Sequence, residues 1–258
     1  MSTIKFGPAG LGPVKEAISN LENLHHIGLK ACEIAFTHGT YIKNKKDALA
    51  IGKVAKELEI SLSIHAPYYI NLNSKETEKI EASKKRILKC CEIGHWLGAK
   101  RVVLHPGFYS GMKSEEASIK IKEGIVEMMM IIKENKWDTK LCPEIMGKIN
   151  VFGSIDEIAD LVKDTSCGFC IDFAHILARY KEHKFDEVKK AFPQKKWHVH
   201  FSGIEYNEKG ERHHKPTDNK EWRNLLKFLK ELDKDIVIIC ESPDPTGDSV
   251  KGNEIWKE

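Results

Sequence analysis

What most constrains this chain is a rhythm. Short apolar runs rich in Ile, Val and Leu recur at Thr3–Phe6, Leu29–Phe36, Ser61–His65, Arg101–Leu104, Lys140–Pro143, Gly168–Ile171, Trp197–Phe201 and Ile236–Cys240. Between them lie longer stretches such as KNKKDALAIGKVAKELEI and KETEKIEASKKRILKCCEIGHWLGAK, whose apolar residues return at helical spacing. Eight strands, mostly followed by helices, within 258 residues match a closed α/β barrel, the (β/α)8 TIM-barrel fold, better than an open doubly wound sheet. No Ser/Gly/Pro-rich linker interrupts the pattern, so a single domain over residues 1–258 is expected. The last unit is the leanest, with only a short terminal helix in 244–258.

Composition narrows the function classes. A hydrophobic fraction of 41% with 31% charged residues excludes intrinsic disorder. The net charge of +3, from 41 basic and 38 acidic residues, excludes a polybasic tail but leaves room for a local basic groove. There is no G-x-G-x-x-G and no G-x-x-x-x-G-K-[ST], which argues against a nucleotide cofactor. The longest apolar runs, IVEMMMII (125–132) and IVIIC (236–240), are too short to span a bilayer, and MSTIKFGPAGLG lacks a secretory h-region. Seven cysteines without framework spacing point to a reducing, cytoplasmic setting. The one C-x-x-C, Cys167 to Cys170, reads as structural, because residues three apart on a strand face opposite sides.

Histidine is the unusual residue, at twelve against five Trp and six Tyr. In a barrel of this kind chemistry gathers at the C-terminal ends of the strands. The third run ends in SIHAPYY with His65, the fourth in VVLHPG with His105, and the fifth in LCPEIMG with Glu144. The sixth ends in CIDFAH with Asp172 and His175. The seventh, WHVHFSG, puts His198 and His200 on one face, with His200 nearer the rim, and its following loop carries Glu211, His213 and His214. The eighth ends in IICES with Glu241. Taken singly, His105 reads as a hydrogen-bonded rim residue and Asp172 as a helix cap. Six consecutive strand ends are a different matter. Four carboxylates facing one mouth without partners would be heavily penalised, and divalent metal pairs them while using neutral imidazole. A four-coordinate catalytic zinc takes about three protein ligands and keeps an open position. Five histidines (65, 105, 175, 200, 213) and four carboxylates (144, 172, 211, 241) then serve about three ions, with a carboxylate bridging. Six positive charges against four negative leave about +2, suited to a phosphate diester, so phosphodiester hydrolysis is the favoured reaction.

These residues resemble endonuclease IV, the family of apurinic/apyrimidinic-site repair endonucleases with a trinuclear zinc centre in a xylose-isomerase-like TIM barrel. The matching pieces are HAPYYINL (65–72), HPG (105–107), PE (143–144), CIDFAH (170–175), HFS (200–202), ERHH (211–214) and ESP (241–243), in family order. The resemblance implies about three Zn2+ per chain, with Mn or Fe as substitutes. His65 and His105 would hold one ion, and Glu144 would bridge it to a second, completed by Asp172, His200 and Glu241. His175, Glu211 and His213 would hold the third. It implies further that a metal-bridged hydroxide cleaves abasic double-stranded DNA on the 5′ side of the flipped-out lesion. The protein would act as a monomer. Tyr68 and Tyr69 would insert into the stack, where an aromatic ring is worth about 1–3 kcal/mol per base. Basic residues of the mouth loops, Arg179 and Arg212 with Lys43, Lys45, Lys148, Lys209 and Lys215, would meet phosphate.

The chain departs from the family pattern in places. GPAG (7–10) replaces G-A-H-V-S, FTHGTYIKNK follows the second strand, Glu211 stands for Asp, and KPTDN (215–219) replaces G-E-G. These mark a divergent member, altered more in DNA recognition than in metal binding. The rival reading is a mononuclear sugar isomerase or epimerase of the related barrels. It would use Glu144, Asp172, His200 and Glu241, with Glu33 as a sugar contact, and would leave His65, His105, Glu211 and His213 without a task. A non-catalytic damaged-DNA or metal-binding module is the third reading.

Overall fold

The computed structural model describes residues 3–258. The apolar runs become the parallel strands β1 (Ile4–Pro8), β2 (Ala31–Ala35), β3 (Ser61–His65), β4 (Arg101–Leu104), β5 (Lys140–Pro143), β6 (Ile171–Asp172) and β7 (Lys196–Phe201). An antiparallel hairpin follows, β8 (Gly203–Asn207) and β9 (Gly210–Lys215), and the eighth barrel strand is β10 (Asp235–Cys240). Two four-stranded arcs, β2-β3-β4-β5 and β1-β10-β7-β6, make up the wall. One seam is closed by Lys30 N–H donating to Phe6 O (3.0 Å) and Gly10 N–H to Glu33 O (2.7 Å). The other is closed by Gly168 N–H to Leu141 O (2.7 Å) and Cys170 N–H to Pro143 O (3.0 Å). The first seam depends on Gly7, where any Cβ would run into the carbonyl of Ala31.

The amphipathic segments form the outer layer. They are α1 (Ala17–His26), α2 (Lys45–Glu57), α3 (Thr77–Leu97), α4 (Ser114–Glu134), α5 (Ile155–Thr165), α6 (Phe173–Tyr180), α7 (Phe185–Ala191), α8 (Asn219–Lys230) and α9 (Pro245–Lys257). In α8 the buried residues Trp222, Leu225, Leu226 and Leu229 recur at helical spacing, so one stripe faces the barrel. Reciprocal capping boxes start two helices, Ser154 with Glu157 in α5 and Asp218 with Glu221 in α8. Gly98, at φ 71°, ends α3 in the left-handed conformation.

Two expectations change. The sixth strand is shorter than Gly168–Ile171 suggests, because residues 168–170 run beside β5 through separate hydrogen bonds and regular pairing begins only at Ile171. The segment after β7 is an ordered hairpin in place of a loop, pinned to the loop after β5 by a Lys148–Gly210 bridge and by Glu211 N–H donating to Gly147 O (3.2 Å). All seven cysteines are buried and free.

Candidate metal centre

The C-terminal rim of the barrel gathers the strand-end residues around Glu144. This carboxylate is fully buried, and its Oε2 faces Nε2 of His65 at 3.3 Å and Nε2 of His105 at 3.1 Å. Its Oε1 faces Nδ1 of His175 at 3.4 Å and Nδ1 of His200 at 3.2 Å. His200 Nδ1 also lies 3.4 Å from Glu241 Oε1. Asp172 does two jobs: Oδ1 caps α6 by accepting from His175 N–H (2.7 Å), while Oδ2 is buried without a hydrogen-bond partner. Backbone carbonyls orient two of the rings, Ala66 O at 2.7 Å from Nδ1 of His65 and Ile145 O at 3.0 Å from Nδ1 of His175.

Five overlapping donor groups have their ligand atoms within 4.8 Å of one another, and three of them together span the mouth: His65–His105–Glu144, Glu144–Asp172–His200–Glu241, and His175–Glu211–His214; the other two are His65–His200–Glu241 and Cys170–His198–His200. The donors fit a divalent ion. The ion-pair neighbours of Glu144 and Asp172 within the described residues are all histidines, and Asp172 Oδ2, 3.4 Å from Nδ1 of His175, makes no hydrogen bond although it is shut off from solvent.

The buried imidazoles and carboxylates shift one another's proton affinities. Burial would raise the pKa of Glu144, but His200, with hydrogen bonds from His105 and His175, holds it well below the usual range. His65 resists its own burial and is pushed up to about 9 by Glu144. His175 is raised well above its ordinary value by Asp172 and Glu144, which outweigh burial. Burial lifts Asp172 to about 6 and lowers His105. An ion bound at His65 or His175 would compete with the proton that their raised pKa favours, so occupancy and proton release would be coupled.

Several expected site residues are placed differently. His213 points away from the centre, with its exposed ring 3.5 Å from Glu205, and His214 takes the position beside His175 and Glu211. The cause is a bulge. Glu205 pairs with His213 and Tyr206 with Glu211, so Arg212 is the extra residue, and the strand alternation that would match Glu211 with His213 matches it with His214. Ser202 Oγ holds Nδ1 of His214 at 2.5 Å. Arg212 is exposed at the bulge. Arg179 is turned inward, its guanidinium donating to the carbonyls of Lys148 (2.6 Å), Val151 (3.2 Å) and Met146 (3.4 Å), so it braces the β5 loop and is not free for phosphate. Tyr68 stacks on His105 with centroids 5.3 Å apart and half its surface exposed. Tyr69 donates its hydroxyl to His38 O (3.1 Å), and Arg86 lies 4.7 Å over its ring. Glu33 lies inside β2 and is fully buried, so it does not reach the mouth as a sugar contact would. Sequence spacing does not separate His213 from His214; the signal for Gly147 and Gly210, which seat the hairpin, was present only as two glycines.

The fold is a (β/α)8 barrel whose rim gathers His, Asp and Glu groups that could hold metal ions. The chain belongs to the xylose isomerase-like TIM barrel family, whose model matches residues 21–258. It is 36% identical over 256 residues to an uncharacterized protein of Methanocaldococcus jannaschii, covering 92% of this chain and 91% of that one. It is 27% identical over 186 residues to a probable endonuclease 4 of Metamycoplasma arthritidis, covering 69% of this chain and 65% of that one. Among solved structures the barrel is similar to SacUVDE (TM-score 0.76, 18% identity, 100% and 98% coverage). It is similar also to endonuclease IV from Thermus thermophilus (0.71, 20%, 98% of both chains). A D-tagatose 3-epimerase-like protein shares the same barrel (0.71, 24%, 98% and 96%). No helix of the described residues is long and apolar enough to cross a membrane.

Proposed function

We propose that this chain is an endonuclease IV-type enzyme that cuts the phosphodiester bond 5′ to an abasic site in double-stranded DNA. It would use about three zinc ions and act as a single-domain cytoplasmic monomer. The observation that carries this reading is the third donor group, His175–Glu211–His214, standing beside His65–His105–Glu144. A mononuclear sugar epimerase is served by Glu144, Asp172, His200 and Glu241 alone and leaves both other groups without a role. Relatives named probable endonuclease 4 and the likeness to endonuclease IV support the same reading.

The residues divide the work. Glu144, with its two oxygens facing opposite histidine pairs, would hold one ion with His65 and His105 and a second, inner one with Asp172, His200 and Glu241; His175, Glu211 and His214 would hold the third, outer one. Bound divalent ions supply Lewis acidity toward a phosphate oxygen and acidify water. Tyr68 walls the mouth against His105, and Phe108, Ile149 and Tyr69 add half-exposed apolar surface on which unstacked bases would rest. Arg212 and the lysines of the hairpin would meet the backbone phosphates. A zinc-loaded sample should nick a duplex carrying one tetrahydrofuran abasic analogue, and Glu144→Ala should abolish nicking. Turnover of ketohexoses with no nicking would favour the epimerase reading.

A further inference from the structure

Beneath the three donor groups lies a fourth polar cluster that none of them uses. Glu33 is fully buried, as are Ser63 and His198. Ser63 Oγ donates to Glu33 Oε2 at 2.7 Å, and His198 Nε2 lies 2.9 Å from the same oxygen. The other oxygen, Oε1, stands 2.9 Å from Nε2 of His200, yet neither atom makes a well-directed hydrogen bond. Within the described residues no lysine or arginine pairs with Glu33. A buried carboxylate with neutral donors on one oxygen and a misaligned imidazole on the other is costly unless the imidazole settles into a donating tautomer.

His200 joins the two layers. Its Nδ1 faces Glu144 and Glu241, and its Nε2 faces Glu33. An imidazole that gives the Nδ1 lone pair to a metal keeps its proton on Nε2. That proton would sit opposite Glu33 Oε1.

Resting on the metal-centre reading above, we infer that Glu33 is a positioning residue that acts on the metal through His200. Ser63 and His198 fix Oε2, which leaves Oε1 2.9 Å from Nε2 of His200, where a turn of the ring on metal binding would bring Nε2–H onto it. The contact sets the His200 tautomer and ring angle and makes Nδ1 a stronger ligand, as outer carboxylates do for metal-bound histidines. Glu33 touches neither substrate nor ion.

The test uses the full chain loaded with Zn2+, comparing wild type, Glu33→Gln and Ser63→Ala. Metal per chain is counted by elemental analysis, affinity is read by chelator competition, and the His200 tautomer is read from imidazole 15N shifts. Glu33→Gln should weaken one ion by about 10–100-fold, leave the ion at His175–Glu211–His214 in place, and blur the His200 tautomer. Ser63→Ala, which keeps the carboxylate and serves if the first variant fails to fold, should give a smaller loss at the same ion. A wild type that binds its ions, with both variants unchanged in affinity and tautomer, overturns the positioning role alone. A wild type that binds no divalent ion overturns the centre and the role together. Cys170 also lies with His198 and His200 in one potential donor group. A thiolate-to-cobalt charge-transfer band lost in Cys170→Ser would therefore overturn the inference by making this cluster a direct metal site.

Discussion

Gly147 leaves the space that Glu211 fills. A Cβ at 147 would lie 2.7 Å from the Cβ of Glu211 and 3.0 Å from Cδ2 of His175, so the outer donor group exists because this loop residue has no side chain. Gly147→Ala should displace the hairpin and release about one of the three proposed ions with the other two retained. Elemental analysis checks this, and an unchanged metal count would show that the loop yields without disturbing Glu211.

The bulge at Arg212 makes a sharper prediction about neighbouring histidines. His214→Ala should lose the outer ion and lower nicking by at least about 100-fold, beyond the loss typical of outer-layer contacts. His213→Ala should keep the metal and most of the activity, because its ring faces Glu205 at the surface. Equal metal loss in both variants would contradict the register.

Packing behind the site predicts a stability effect. Trp222 is fully buried in α8 and packs edge-on against Phe201, with ring centroids 4.9 Å apart, and against Phe6 at 6.0 Å. Trp222→Ala should cost about 3–5 kcal/mol, read from the urea midpoint. A loss below about 1 kcal/mol would mean that the α8–barrel interface collapses around the cavity.

Glu157 gives the pH dependence of the fold. Burial would raise its pKa, but Ser114, the backbone N–H groups of Gly153 and Ser154, and Tyr109 hold it below the ordinary 4.5. A depressed folded pKa means that its stabilisation is complete above the unfolded value and is lost as pH falls through the folded one. The stability difference between wild type and Glu157→Gln should therefore be largest near neutrality and shrink below about pH 4.5. Denaturant melts across pH test it; a constant difference would show that the Glu157 carboxyl has the same pKa folded and unfolded.

Much of this was legible in the sequence, for identifiable reasons. Parallel strands buried on both faces must be apolar and short, so β3, β4 and β5 coincide with their expected spans. Donors directly after such runs are carried to the rim by the barrel geometry, which is why His65, His105, Glu144, Asp172, His200 and Glu241 converge. What was not legible depends on local irregularity or on contacts distant in sequence. The β9 bulge inverts the alternation that spacing assumes and replaces His213 by His214. The inward turn of Arg179 is set by carbonyls 28 to 33 residues away. The burial of Glu33 under His200 follows from the closure of β2 against the far arc through the barrel interior.

The most direct measurement of the central claim is the position and end chemistry of a strand break. A zinc-loaded sample is incubated with a duplex labelled at the 5′ end of the strand that carries a single tetrahydrofuran site, beside the same duplex without the lesion. One labelled product is expected, ending in a 3′-hydroxyl immediately 5′ to the lesion, absent after chelation, absent in Glu144→Ala, and absent on the intact duplex. A fully metal-loaded wild type that leaves the lesion strand whole, or cuts both duplexes alike, would contradict it.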